Sequence, residues 1–157
     1  MRTVLTFLLA FSLSGPLLAQ QPTSTLATLV TQLEQLQGPL PEVPRKEAKR
    51  TLPQLRQRYQ RGLPVGTICY LTVNTLNESA TPEPLVVEVA TWQAGKLTGR
   101  IMRLSHEEGR AMAGAPVSFE ETAILDWLLL RPNGAEEGNY VGKYLDLEER
   151  LATLSNK

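Results

Sequence analysis

The chain predicts an α+β fold: an antiparallel sheet of about five strands, one helix packed on a sheet face, and short terminal helices. Three observations predict it. Apolar residues recur at helical spacing up to Arg61. From Thr67 onward the pattern changes to runs rich in β-branched and aromatic residues. Short turns such as Ala94-Gly95 then join neighbouring runs, so adjacent strands can pair as hairpins. A small closed barrel is the alternative architecture.

At the start of the chain, Met1-Arg2 places one positive charge before the apolar run from Thr3 to Leu13. Ser14-Gly15-Pro16 interrupt it, and Ala19 supplies a small residue at a cleavage point. Residues 1–19 are thus expected to be a secretory signal peptide, removed before Gln20. The run is short of the roughly 20 apolar residues of a spanning helix, and retention as an anchor is the competing expectation. The predicted localisation is periplasmic or secreted.

Residues 20–44 are read as an amphipathic helix followed by a Pro-rich linker. Leu26, Leu29, Val30, Leu33 and Leu36 form one stripe, Thr23 or Ser24 can cap it, and Gly38-Pro39 stops it. Pro39, Pro41 and Pro44 stiffen the linker. The main domain is placed at residues 45–157. It opens with a helix over 45–61, whose Ala48, Leu52, Leu55 and Tyr59 share a face. Pro53 inside this pattern predicts a kink or break. The outer face carries Arg45, Lys46, Lys49, Arg50, Arg56, Arg58 and Arg61 against Glu47 alone. Such a run is normally a solvated helix face; its alternative role is contact with anionic lipid headgroups.

Strands are predicted at 67–74, 85–92 and 96–104, the last two forming a hairpin. Gly99 inside the return strand predicts a bulge or a close backbone approach. Residues 105–114 read as a loop, 116–120 as a short strand, and 124–131 as a central strand, apolar on both faces. Pro132-Asn133-Gly134 is a turn, and 138–144 is expected to pair back as the last strand. Asp146 and Glu149 suggest a capping box for a final helix with Leu147, Leu151 and Leu154 as its buried edge.

Composition excludes several functions. Of 157 residues, 16 are basic and 16 acidic, so no net charge draws the chain to nucleic acid. One Cys and one His rule out an intrachain disulfide and Cys- or His-rich metal sites. Cys69, in an apolar strand, reads as a small buried hydrophobe rather than a nucleophile partnered by His106. Asn77-Glu78-Ser79 matches a glycosylation acceptor, which has meaning only in a eukaryotic secretory route. Neighbouring carboxylates at 107–108, 120–121, 136–137 and 148–149 are not read as a site, because adjacent strand residues face opposite ways. No cofactor and no metal are predicted.

Asp126 is the residue to watch, since a charge in so apolar a strand needs partners. One expectation is that it bonds turn amides near 133–138. The other is a groove floored by Trp127 and Tyr140. Asp126, Trp127, Asn139 and Tyr140 are therefore the candidate binding residues, with no residue assigned a catalytic role.

The ordered set Ala48-Lys49-Arg50-Thr51-Leu52-Pro53, then Gly95-Lys96-Leu97-Thr98-Gly99, then Ile124-Leu125-Asp126-Trp127 and Gly138-Asn139-Tyr140 resembles the YegJ-like family of small bacterial domains of unknown function. The resemblance covers about residues 45–146. It departs where the family often carries Glu-His-x-Trp, because this chain has Glu83-Pro84-Leu85-Val86-Val87. It implies a bacterial origin and supplies no substrate. The functional expectation is an exported, non-enzymatic domain that binds another protein or an envelope component, its ligand unknown. The alternatives are a small hydrolase-like enzyme using Asp126 with Glu120 or Glu121, and envelope association through the basic helix.

Overall fold

The computed structural model describes residues 25–76, 80, 82–103 and 113–155. The signal segment, the cap at Thr23 or Ser24, the Asn77 acceptor, His106 and most of the 105–114 loop lie outside them. Within the described residues the order is α1 (Thr25–Gln35), α2 (Glu42–Arg61), β1 (Ile68–Leu76), β2 (Pro82–Gln93), β3 (Lys96–Met102), β4 (Pro116–Glu120), β5 (Ile124–Leu130), β6 (Glu136–Gly138) and α3 (Tyr140–Ser155). A 3-10 turn over Glu121–Ala123 links β4 to β5. The six strands form one antiparallel sheet in the order β4-β3-β2-β1-β5-β6. This is the expected α+β class with one more strand, as an open sheet rather than a barrel.

The two sheet faces are packed differently. Strand alternation sends Cys69, Leu71 and Val73 of β1, Leu85 and Val87 of β2, Leu97 and Ile101 of β3, and Trp127 and Leu129 of β5 into one cluster under Ala48 and Leu55 of α2. The opposite face places Tyr70, Val86 and Leu128 against Leu29, Val30 and Leu33 of α1 and Val141 of α3. The first helix thus docks on the domain. β5 lies next to the short edge strand β6, not at the sheet's centre; its burial on both faces comes from the helices.

Several expectations need correction. α2 starts at Glu42, with Pro41 as its N-cap and Pro44 in the first turn. Proline is tolerated there because first-turn amides have no intrahelical partner. The helix is not broken at Pro53, which is exposed. Residues 140–144 are helix rather than strand, and Asp146 lies inside α3, paired with Arg150 at 2.9 Å, instead of capping it. Leu147, Leu151 and Leu154 are 54%, 56% and 68% exposed, so they are no buried edge.

Two glycines match demanding positions. An added Cβ at Gly99 would overlap the carbonyl oxygen of Glu88, the close approach expected there, and β2 bulges against β3 at Val89–Thr91. Gly138 has φ +80° and lies against the backbone and ring of Trp127, where no side chain fits.

Candidate functional site

The chain reverses between β6 and α3 through Gly138 (φ 80°) and Asn139 (φ 57°). Glycine and asparagine are the residues that adopt this left-handed pair at least cost. The Asn139 amide donates to the Trp127 carbonyl at 2.7 Å, and the Asn139 carbonyl accepts from the Lys143 amide at 3.1 Å. Asn139 therefore opens α3, yet its own side chain does not cap the helix. Its Nδ2 reaches Glu136 at 3.5 Å, and its buried Oδ1 has no hydrogen-bond partner among the described residues.

The cap comes from Asp126, one strand away. Its side chain is 1% exposed. Oδ1 accepts from the Trp127 amide and Oδ2 from the Val141 amide, each at 2.7 Å, and the Tyr140 amide adds a further bond. A carboxylate at the first-turn amides of a helix satisfies donors that lack intrahelical acceptors and faces the positive end of the helix dipole. Burial pushes the Asp126 carboxyl up to about 6; the amides and the positive charge of Lys143 pull the other way. The amides it bonds are those of 127, 140 and 141, not those of the 133–138 turn.

Trp127 and Tyr140 complete the joint. Their rings meet edge to face with centroids 5.8 Å apart. The Trp127 indole N–H donates to Thr51 Oγ1 of α2 at 3.0 Å. The four candidates are therefore brought together, but as a closed seam between β5, α3 and α2. Asp126 is held by backbone and does not stand in an open groove.

The residues proposed to assist Asp126 lie elsewhere. Glu121 accepts from Arg56 and from the Trp92 indole, both at 3.1 Å, and Glu120 is exposed at the end of β4. Among the described residues no group of three His, Cys, Asp or Glu could hold a metal ion. Burial alone pushes the Cys69 thiol up to about 12. The basic face of α2 is largely compensated: Lys46 pairs with Glu42, Arg50 with Glu47, Arg56 with Glu121 and Arg58 with Glu137.

Three features were not singled out by sequence. Thr51 anchors an indole; its place between Ala48 and Leu55 was the available signal. Arg103 is buried on Glu83 at 2.7 Å. A recess of about 570 Å³ opens between α1, the 36–40 segment and the β1–β2 end, lined by residues that include Leu33, Leu36, Leu40, Leu125, Arg45 and Asn74. No helix among the described residues is long and apolar enough to cross a membrane.

No family model, curated protein or solved structure matches this chain.

Proposed function

We propose that this chain is an exported domain of the bacterial envelope or exterior that acts by binding another protein and catalyses no reaction. The observation that carries this reading is the use made of Asp126. Its two oxygens are taken up by backbone amides, and the charged side chain acting on it is Lys143 rather than a second carboxylate. General acid–base work requires a group free to reach a substrate proton, and this carboxyl is spent on starting α3. The YegJ-like kinship belongs to the same proposal. In its support, Asp126, Trp127, Gly138 and Tyr140, met separately along the chain, pack into one joint.

The test is complementation of a strain that lacks the gene. Asp126→Asn, kept at a temperature where its circular dichroism matches wild type, is expected to restore the deletion phenotype. A folded Asp126→Asn protein that fails to restore it returns the hydrolase-like reading with Glu120 or Glu121. Fractionation of the same cells should place the chain outside the cytoplasm, shortened by the residues before Gln20. Envelope association through the 45–61 helix has weaker support, since four of its seven cations are already paired. Salt-sensitive binding to anionic vesicles would restore it.

A further inference from the structure

We propose that α3 carries a self-association seam, and that two copies of this chain pair their α3 helices in parallel along Tyr144, Leu147, Leu151 and Leu154. Steps of four, three, four and three residues separate Tyr140, Tyr144, Leu147, Leu151 and Leu154. That alternation is the spacing of a two-helix seam, with 144 and 151 at a positions and 147 and 154 at d positions. The seam's first member is already used, because Tyr140 packs on Trp127. Tyr144 is half-buried, and the outer leucines are free of cover among the described residues: every residue from Leu147 to Ser155 is exposed, and three leucines line one side. A helical overhang of this length is marginal in water without packing.

Charge on the flanks selects the occupant and its direction. Lys143 and Arg150 fall at g positions and Glu148 at an e position of this register. In a parallel pair, g of one helix faces the e position five residues on in the other, so Lys143 meets Glu148 of the second copy, twice by symmetry. An antiparallel pair would set Glu148 against Glu148 and Arg150 against Arg150. Lys143 donates to the Gly138 carbonyl at 2.8 Å, lies 3.2 Å from Glu136 and is half exposed, which leaves one N–H for a second carboxylate. The mixed signs beside the leucines suit a protein seam better than a lipid surface, which favours a uniformly cationic polar face. A seam of four residues a side falls far short of the roughly 20–30 residues a side of stable complexes, so the pair is a weak one.

Sedimentation equilibrium of the full chain over a wide concentration range tests this. The weight-average mass is expected to climb from 17.4 kDa toward twice that value as concentration rises. Leu151→Glu should weaken association by roughly tenfold or more while leaving the amide protection of β1 and β2 unchanged. Glu148→Lys should weaken it too, and adding Lys143→Glu should restore it. Leu154→Cys should cross-link to itself under oxidation, because matching d positions face each other only in the parallel arrangement. The proposal is overturned by a single-chain mass at every concentration, or by a dimer indifferent to Leu151→Glu. A cross-link that forms only between Leu154→Cys and Tyr144→Cys chains overturns the parallel direction.

Discussion

Two helices lie against one sheet and are held in opposite ways. α2 is fixed by apolar burial: Ala48 and Leu55 sink into the larger cluster, and its polar contacts, Thr51 to Trp127 and Arg56 to Glu121, sit around that contact. α3 buries only Val141 and Gly142 and is fixed at its first turn by one carboxylate. The contrast shows how a helix that buries no wide apolar stripe can still be seated. The orphan donors at its start are satisfied by an acceptor from the central framework.

The largest expected effect breaks the second mode of attachment. Asp126→Ala leaves buried amides at Trp127 and Val141 without acceptors and should cost about 4 kcal/mol, taking 1–3 kcal/mol for each unsatisfied group. Hydrogen exchange is expected to show the α3 amides losing protection before those of β1 and β2. Simultaneous loss everywhere would mean that α3 is held no differently from α2.

Leu55→Ala probes the first mode. Removing a side chain that is almost wholly buried should cost about 3 kcal/mol. Here urea unfolding should remain a single transition with protection lowered throughout the domain. A selective loosening of α2 would contradict a core shared by α2 and the sheet.

The pH dependence sharpens the comparison. Asp126 has a folded-state pKa of about 6, above its ordinary 3.8. The folded chain therefore holds this proton more tightly than the unfolded one. The stability it contributes is full below about pH 4 and is lost as pH rises through 6, up to about 3 kcal/mol in all. Asp126→Asn has no proton to lose. The stability of wild type relative to this variant should fall between pH 4 and pH 7 by urea titration; a constant difference would refute the assignment.

The smallest effect concerns the contact between the two systems. Thr51→Val removes the acceptor of the Trp127 indole and should cost about 1 kcal/mol. A shift in Trp127 fluorescence should accompany it, with α3 protection unchanged.

Much of this architecture was legible in the chain. The β-branched and apolar runs at 68–73 and 85–87, the Ala94-Gly95 turn and the α1 stripe each state a local preference that packing respects. Ala94 and Gly95 both take positive φ, as a tight hairpin requires. The errors cluster at residues 138–154. Gly138 to Tyr144 follows a turn as a returning strand would, but residues 140–144 become helix, and Asp126, far away in sequence, supplies the cap. No window of local sequence contains that bond. The candidate site was legible as a set of residues, since a buried Asp must find partners, but which amides it takes depends on the β5–β6 register. Similarly, the leucines at 147, 151 and 154 have a buried helix's spacing without a surface among the described residues to cover them.

Cys69 sits at the bottom of the larger cluster, 3% exposed, with its thiol held protonated by burial. An alkylating reagent can reach it only when the strands part. The molecule thereby carries a built-in clock: the rate at which a thiol reagent modifies it counts openings of the core, with no added label. The same seclusion keeps folded copies from joining covalently in oxidising surroundings, so a Cys69-linked pair would be a record of chains that met before they had folded.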